Sequence, residues 1–424
     1  MMNIAINRFS ATCTCGKSHS IEVKDIYLEQ NATRFLPRIL KQYHKPVFIC
    51  DKNTKEAADQ RLAPFFDLYD VIILDSPLVS ADNSHVDKIN RAFRSEPDIL
   101  IAVGSGTIHD LTRYVSFQAG IPFISYPTAA SVDGFLSTGA AMTWNGLKKT
   151  FPAHSPIYVI ADTDIFALAP YRLTAAGFAD LMGKYTALTD WKISHLVSGE
   201  LFCQEIHDLV MESVKEAEEA AALIKGGDRD SIEKLMYALL LSGLGMQMLG
   251  NSRPASGAEH HLSHLWEMHV INSPVNALHG EKVSVGLLLC LQKYKTILEH
   301  MKSNDYTLSY PLNFEYPDDF EHELLKQHLG PSGLYDMVIE ENKPNLLTTN
   351  VVNNFHKHRD QIICLLEELP DYSYIRQILE LVKCPLSLGD IGLSEDIRIL
   401  SLQLSPYIKR RLTMMRLCKI IRNN

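Results

Sequence analysis

The sequence predicts a parallel α/β domain in the N-terminal half of the chain and an all-α domain in the C-terminal half. From about Ile26, short apolar runs alternate with helical patterns, and after Ala175 long amphipathic runs take their place. Such alternation predicts βαβ units with a parallel sheet and right-handed crossovers. At 424 residues, of which 46% are hydrophobic, the chain is long enough for two hydrophobic cores.

Five elements of the N-terminal half follow from local patterns. Apolar runs predict strands, and apolar residues at helical spacing predict helices. The predicted elements are the strand Pro46 to Cys50, the helix Thr54 to Phe66, the strand Val71 to Leu74, the helix Val86 to Phe93 and the strand Ile99 to Val103. Ligands of parallel sheets bind outside the carboxyl ends of the strands, so we expect functional groups there.

The C-terminal half shows two long amphipathic runs, Glu212 to Ile224 and Ser231 to Leu249, which predict helices. The uncharged run Leu235 to Ser252 contains glycines and a glutamine, so it predicts a buried helix and not a membrane span. The segment Ser309 to Gly330 predicts a loop or an insertion. The basic run from Tyr407 to Asn424 predicts a final helix with a solvated face, and attachment to anionic lipid is the second interpretation.

Composition bounds the class of protein. The formal net charge is -9, which argues against a general nucleic-acid binder, because phosphate neutralisation needs clustered Lys and Arg. The first ten residues lack the apolar core of a secretory signal. Eight cysteines scattered over this length predict reduced thiols and not a disulfide framework. We therefore expect a soluble, cytoplasmic protein without a transmembrane segment.

Two features follow predicted strands directly. Asp51 comes after the first strand, where it could accept hydrogen bonds from a ribose diol or simply cap the next helix. The run V-G-S-G-T-I-H-D, from Val103 to Asp110, joins a strand to an amphipathic helix. Gly104 and Gly106 allow close backbone approach, and amides at the helix start can hold a pyrophosphate. The third glycine of the G-x-G-x-x-G fingerprint is missing.

A polar loop follows the strand that ends at Tyr126. Its hydrogen-bonding residues are Thr128, Ser131, Asp133 and Ser137. Loops rich in Pro, Gly and small hydroxyl residues are usually only turns. This one is predicted to lie on the same sheet edge as the glycine turn.

Several histidines lie between Glu259 and His279. His260 and His264 are four residues apart in a segment with helical periodicity, so both rings should lie over one face. His279 follows in a separate turn and could approach that face. Two or three imidazoles with one carboxylate would make a zinc-like site, although surface or core histidines are an equally good interpretation of spacing alone.

A second group near the N-terminus places Cys13, Cys15 and His19 close together in C-T-C-G-K-S-H. These residues could belong to a structural metal site, but a fourth ligand is missing nearby in the sequence. A small hairpin with a Gly turn is the default interpretation.

Five separated motifs occur along the chain in a fixed order: G-S-G-T-I-H-D, P-T-A-A-S-V-D-G, A-A-G-F-A-D-L-M-G-K, S-R-P-A-S-G-A-E-H-H and L-H-G-E-K. Together they resemble the sn-glycerol-1-phosphate dehydrogenases, most closely the bacterial AraM type, within the dehydroquinate synthase and iron-containing alcohol dehydrogenase superfamily. The likeness runs from about Ile26 to Lys282. It implies a dehydroquinate synthase-like fold with an N-terminal extension (1–25), a dinucleotide-binding α/β domain (26–170) and a helical metal-binding domain (171–424), with the active site in the interdomain cleft.

The resemblance also implies roles for individual residues. It implies Asp180, His260 and His279 as metal ligands, with His261 as a competitor for one position. Asp133, Asp180 and His264 would contact the substrate. The dinucleotide would contact Asp51, Gly104, Ser105, Gly106, Thr107, Ile108, Thr128, Ser131 and Ser137. Arg253 and Lys184 are candidates for the substrate phosphate, or else structural ion-pair partners.

The activity implied by the resemblance is the reduction of dihydroxyacetone phosphate to sn-glycerol 1-phosphate. An Asp at the ribose favours NAD(H), with NADP(H) possible, and one divalent metal, zinc or nickel, would polarise the carbonyl. The alternatives are a glycerol or polyol dehydrogenase of the same superfamily and a dehydroquinate synthase-like lyase. A homodimer is also implied.

Overall fold

A computed structural model describes residues 4, 13–76, 79–303, 306–309 and 319–423. These residues form two compact units, the first made of Met1–Leu181 and Glu205–Ser252, the second of Met182–Gln204 and Arg253–Asn424. The division into 1–25, 26–170 and 171–424 as independently folding domains stays a prediction. In the structure, the two helices of Glu205–Ser252 group with the N-terminal sheet.

The first unit contains the predicted parallel sheet. Its six strands are β1 (Asp25–Glu29), β2 (Pro46–Asp51), β3 (Asp70–Leu74), β4 (Ile99–Gly104), β5 (Phe123–Pro127) and β8 (Tyr158–Asp162). They lie in the order β1-β8-β5-β4-β2-β3, and every neighbouring pair is parallel. A separate antiparallel hairpin is formed by β6 (Gly139–Trp144) and β7 (Leu147–Pro152). The predicted strand-helix alternation is therefore confirmed.

Helices cover the sheet on both faces: α1 (Leu36–Leu40), α2 (Lys52–Phe66) and α5 (Thr163–Phe166) pack on one, and α3 (Asn83–Ala92) and α4 (Gly106–Ala119) pack on the other. Three further helices are α6 (Tyr171–Met182), α8 (Gln204–Ile224) and α9 (Arg229–Leu249). Alternate strand residues supply two cores: Phe48 and Ile101 belong to one, Ile49 and Leu100 to the other. Burial on both faces explains why the strands read as continuous apolar runs.

The second unit is almost entirely helical. Its helices are α7 (Lys184–Ser198), α10 (Ala258–Glu267), α11 (His279–Ser303), α12 (Asp319–Leu329), α13 (Tyr335–Glu341), α14 (Thr349–Lys357), α15 (Arg359–Glu367), α16 (Tyr372–Leu381), α17 (Arg398–Leu404) and α18 (Met414–Leu417). One apolar cluster around Trp266 and Tyr294 joins α7, α10, α11, α14, α15 and α18. In the part of the chain that the structure describes, no helix combines the length and the apolar character needed to span a bilayer.

The predicted final helix from Tyr407 to Asn424 is wrong. Its described residues, 407–423, contain the short helix α18, a 3-10 helix at Cys418–Ile420 and the strand β10 (Ile421–Asn423), which pairs antiparallel with β9 (Tyr306–Leu308). The reason is burial of its cations: Arg416 is 2% exposed and its Nε donates to Pro406 O at 3.0 Å, while Lys419 pairs with Glu321. These residues do not form one long helix, so they present no continuous solvated basic face. The interpretation as a lipid-binding helix is therefore not supported either.

The segment Ser309 to Gly330 is not all loop. Helix α12 occupies Asp319–Leu329, because its apolar residues, such as Leu325, lie buried in the second unit. Residues 310–318 lie outside the described part of the chain.

His109, the histidine of the G-S-G-T-I-H-D motif, is a buried structural residue of α4. Its Nδ1 lies 2.9 Å from Ser105 O and its Nε2 2.7 Å from the Ser125 hydroxyl. Burial of the ring, assisted by the nearby Arg113 guanidinium, lowers the pKa of His109 from 6.5 to about 3. The folded chain therefore holds this ring neutral throughout the neutral and mildly acidic range.

The replacement His109→Gln should flatten the acid side of the stability profile. Between pH 6.5 and about 3 the unfolded chain binds a proton at this ring that the folded chain does not, so stability present above pH 6.5 is lost as the pH falls. Free energies of unfolding from urea titrations at several pH values measure the slope. The exposed His356→Gln is the control, and a slope in His109→Gln equal to that of the wild type would contradict the assignment.

Candidate active site

Three neighbouring strands of the first unit bring the predicted dinucleotide-binding residues to one edge of the sheet. Strand β4 lies between β2 and β5, and all three run in the same direction. Their carboxyl ends carry Asp51, the turn 104–108 and Thr128. The Thr128 amide donates to Gly104 O at 3.0 Å, which joins the loop after β5 to the glycine turn.

Asp51 forms the N-cap of α2. Its Oδ1 accepts from the Thr54 amide at 2.8 Å, and the Thr54 hydroxyl accepts from the Asp51 amide at 3.0 Å, which completes a capping box. The helix-capping interpretation is therefore confirmed. The ribose contact stays a prediction, because a cap leaves the carboxylate at the carboxyl end of β2.

The glycine turn leads straight into α4. Gly104 ends β4, Ser105 is the N-cap residue with extended backbone, and Gly106 begins the helix. Ser105 places no side-chain hydrogen bond on the first turn. The main-chain amides of Thr107 and its neighbours are consequently the groups that could hold a pyrophosphate at this helix start.

The loop after β5 is buried and held by helices of the same unit. Asp133 Oδ2 accepts from the Ser242 hydroxyl of α9 at 2.8 Å, and the Asp133 amide donates to Asp180 Oδ2 of α6 at 3.1 Å. Ser131 is 3% exposed, and its hydroxyl has no hydrogen-bond partner among the described residues. Ser137 instead bonds to the backbone of Gly139 at 3.0 and 3.1 Å.

Close packing fixes this loop against α6. Gly177 faces Ala130, and a Cβ atom at position 177 would lie 2.2 Å from Ala130 O. Only glycine permits that approach. Asp180 lies one turn further along the same helix, so the contact also sets the position of its carboxylate.

Three histidines of the second unit form a cluster. Helix α10 places His260 and His264 on one face, with ring centroids 6.2 Å apart. His279 begins α11, and its ring centroid lies 5.2 Å from that of His260 and 5.6 Å from that of His264. The expected shared face and the approach of His279 are both confirmed.

Two glutamates hold two of these rings. Glu259 Oε1 accepts from His260 Nδ1 at 2.7 Å, and Glu267 Oε1 accepts from His279 Nδ1 at 2.8 Å. Because Nδ1 of each ring donates to a carboxylate, Nε2 carries the lone pair. Metal-binding histidines are oriented by carboxylates in this way.

Glu259 stays ionised although it is fully buried. Burial alone would raise its pKa, but hydrogen bonds from His260, from the Thr186 hydroxyl at 2.6 Å and from the Gly257 amide at 2.6 Å outweigh that effect. Its pKa is therefore lowered. An ionised Glu259 keeps the proton of His260 on Nδ1.

His261 does not join the cluster. Its ring is fully buried, and neither nitrogen has a hydrogen-bond partner among the residues that the structure describes. Burial, with the nearby charges of Arg411 and Lys409, lowers its pKa well below 6.5. The geometry of α10 thus favours His260 over His261 as a ligand.

Arg253, one of the two candidates for the substrate phosphate, is a structural residue. Its Nε pairs with Glu200 at 3.1 Å, and its Nη2 donates to Asp190 O at 2.9 Å and Leu412 O at 2.7 Å. The alternative of an ion-pair partner is the one observed. Lys184 is fully buried, and its role stays a prediction.

The comparison of sequences gives the family. The chain is 33% identical over 419 residues to glycerol-1-phosphate dehydrogenase [NAD(P)+] of Halalkalibacterium halodurans, an alignment that covers 96% of this chain and 95% of that protein. The chain belongs to the glycerol-1-phosphate dehydrogenase family. A Bacillus velezensis protein of the same name is 40% identical over 300 residues, which cover 68% of this chain and 76% of that protein.

Membership of the glycerol-1-phosphate dehydrogenase family agrees with the fold. Residues 27–170 match the family model of the iron-containing alcohol dehydrogenases. NADH-dependent butanol dehydrogenase A of Thermotoga maritima has a similar structure, with a TM-score of 0.62 at 13% identity over 94% of this chain and 92% of that one. That similarity concerns the fold alone. The resemblance stated from five motifs is confirmed.

Sequence reasoning did not find the residues that orient the histidines. Glu259 directly precedes His260, and Glu267 lies three residues after His264. Carboxylates this close to candidate metal ligands in the chain are a usable signal, since such ligands are commonly held by carboxylates. Ser242, which holds Asp133 from 109 residues away, had no local signal.

The replacement Glu259→Gln should loosen His260 and weaken metal binding. The NH2 group of the glutamine would point at one of the three groups that now donate hydrogen bonds to Glu259. This loss should lower the free energy of unfolding by about 1–3 kcal/mol. Loss of the orienting carboxylate should lower metal affinity roughly 10–100-fold. Competition with a metal-binding dye and urea denaturation measure the two effects.

The matched control is Glu299→Gln, an exposed position of α11. It should change neither quantity. Unaltered metal affinity in Glu259→Gln would show that this carboxylate does not orient a ligand.

Proposed function

We propose that this chain reduces dihydroxyacetone phosphate to sn-glycerol 1-phosphate, with NADH or NADPH as the reductant and one divalent metal ion. The main support is the cluster of His260, His264 and His279, in which two rings have Nδ1 held by a glutamate. This cluster occurs in a chain of the glycerol-1-phosphate dehydrogenase family.

Asp180, His260 and His279 are the proposed metal ligands. Ligand atoms of His260 and His279 lie within 4.8 Å of one another. Asp180 is two residues before Met182, where the second unit begins, and Asp133 fixes its carboxylate from within the first unit. One carboxylate with two imidazoles suits zinc, nickel or iron.

A second ligand set lies wholly in the second unit. Ligand atoms of His264, Glu267 and His279 also lie within 4.8 Å of one another. We favour the first set because Glu267 binds the Nδ1 side of His279 at 2.8 Å. A carboxylate on that side orients Nε2 toward a metal and does not share the metal with it.

The proposed dinucleotide site is the carboxyl edge of the first unit's sheet. The first turn of α4 would hold the pyrophosphate through its amides, and Asp51 would accept from the ribose hydroxyls. The buried Ser131 hydroxyl supports a ligand there, because a buried polar group without a partner is costly. Thr128 and Ser137 complete the proposed contacts.

When bound, the metal would polarise the C2 carbonyl and the reduced nicotinamide would supply a hydride to C2. The carbonyl oxygen then needs one proton to become the C2 hydroxyl. His264 is the proposed donor, since its ring stacks on His279 with centroids 5.6 Å apart. Asp133, held by Ser242, would accept a hydrogen bond from a substrate hydroxyl. The cytoplasmic location, expected from the sequence composition, and the homodimer, implied by the family likeness, both stay predictions.

The decisive experiment is product analysis with the metal controlled. The full chain is stripped with a chelator, reloaded with Zn²⁺ or Ni²⁺ singly, and given NADH with dihydroxyacetone phosphate or dihydroxyacetone. We expect one NADH oxidised per sn-glycerol 1-phosphate formed, with activity lost on chelation and restored by metal. The replacement His279→Ala should abolish the restoration, whereas His300→Ala, in the same helix, should not.

Other outcomes identify other enzymes. Preference for the unphosphorylated ketone would make the chain a polyol dehydrogenase. Turnover of a dehydroquinate synthase-type substrate without net NADH oxidation would make it a lyase. Activity that survives chelation would overturn the metal mechanism.

The replacement Asp51→Asn should shift cofactor preference toward NADPH. It removes the charge that would repel a 2′-phosphate. Asparagine caps helices about as well as aspartate, so unfolding free energy should stay the same. The ratio of kcat/KM for NADPH to that for NADH, measured with dihydroxyacetone phosphate, should rise.

Asp51→Ala separates the two roles of this residue. It removes both charge and cap, and should cost about 1 kcal/mol of stability in addition to the change of preference. An unchanged cofactor ratio in both variants would remove Asp51 from the ribose site.

A further inference from the structure

The described residues directly before β1, 13–24, fold without regular secondary structure. Residues 13–24 contain a turn at Thr14 to Gly16 but neither helix nor strand. The segment is attached to the C-terminal end of α9, where Gln247 Oε1 accepts from the Glu22 amide at 2.8 Å. A polar stretch of this kind has little apolar surface to bury, so a cross-link would be an effective way to hold it.

Three metal-binding side chains converge in this segment. The Gly16 amide donates to Cys13 O at 3.0 Å and closes the turn, and the Cys15 amide lies 3.5 Å from Cys13 Sγ. Cys15 Sγ lies 3.3 Å from His19 Nε2. The candidate ligand atoms of Cys13, Cys15 and His19 all lie within 4.8 Å of one another. The Gly turn of the default interpretation is present, but residues 17–24 form no strand, so the predicted hairpin is wrong. The turn instead brings the two sulfurs close together.

His19 is oriented as a metal ligand would be. Its Nδ1 lies 2.8 Å from Met248 O, and a carbonyl can only accept, so Nδ1 carries the proton. The lone pair is then on Nε2, the nitrogen that faces Cys15. A backbone carbonyl that fixes the tautomer is a common outer contact of ligating histidines.

A third sulfur, the fourth candidate ligand, is brought close by the chain itself. The amide and the hydroxyl of Thr14 both donate to Glu205 Oε1 at 3.1 Å, so the turn that carries Cys13 and Cys15 is tied to the first residues of α8. Cys203 is two residues before Glu205 and fully buried. Two residues span at most about 7 Å, which keeps Cys203 within reach of the turn.

We propose that Cys13, Cys15, His19 and Cys203 bind one structural zinc ion. Three sulfurs and one imidazole form a closed tetrahedral ligand set, which is typical of structural zinc. Thiolates favour zinc over magnesium or manganese. Each thiol gives up its proton when the metal binds. The ion would cross-link the segment before β1 to the chain at the start of α8, independently of the reaction proposed above.

Metal analysis of the full chain tests the proposal. The full chain is expressed in medium that contains zinc and is dialysed without a chelator. It should then retain one zinc ion in addition to any ion in the proposed catalytic site. Cys15→Ser and Cys203→Ser should each lose one equivalent per chain. Cys364→Ser, at an exposed position outside the cluster, should lose none. Loss of zinc in Cys15→Ser but not in Cys203→Ser would overturn the assignment of the fourth ligand.

A spectroscopic measurement on the wild-type chain avoids variants that fail to fold. The proposed catalytic ligands contain no sulfur, so a thiolate-to-cobalt charge-transfer band in the Co²⁺-loaded chain reports this cluster alone. We expect that band, and eight titratable thiols in denaturant with chelator, one for each cysteine. No band, or only six thiols because a disulfide has formed, would overturn the proposal.

Discussion

The buried carboxylate of Glu259 is the group on which the histidine cluster depends. It accepts hydrogen bonds from Thr186 of α7, from the Gly257 amide before α10 and from the His260 ring. A buried charge is tolerated only when its hydrogen bonds are made, so these three donors must stay in place together. The same geometry that satisfies the charge therefore fixes the tautomer and direction of His260.

The position of His279 follows from packing against the same residue. Gly286 of α11 faces Glu259, and a Cβ atom there would lie 2.6 Å from Glu259 O. His279 lies seven residues earlier on α11, about two turns, and so on nearly the same face. Because α11 can approach α10 this closely, the His279 ring reaches those of His260 and His264. Glu259 thus positions His260 through a hydrogen bond and His279 through the close packing of α11 against its backbone.

The sequence predicted the elements with strong periodicity and missed what depends on distant partners. Strand β4 and the turn before α4 follow from local pattern, and the shared face of His260 and His264 follows from their spacing of four. By contrast, the basic run near the C-terminus indicated an exposed helix, whereas Arg416 is buried against Pro406 and Asn342. Periodicity assumes that charge faces solvent, so it fails wherever a cation is satisfied inside the protein.

The two proposed metal sites differ in donor chemistry, and that difference decides which ion each would select. Oxygen and nitrogen donors from Asp180, His260 and His279 accept zinc or nickel with little discrimination, so availability would determine the catalytic ion. Three thiolates favour zinc and form a closed set that leaves no position for substrate. A chain with both sites could therefore exchange the ion that acts on the carbonyl while it retains the ion that holds its N-terminal segment. For this reason, zinc that copurifies with the chain would be assigned first to the structural site. It would not by itself show which metal the catalytic site uses.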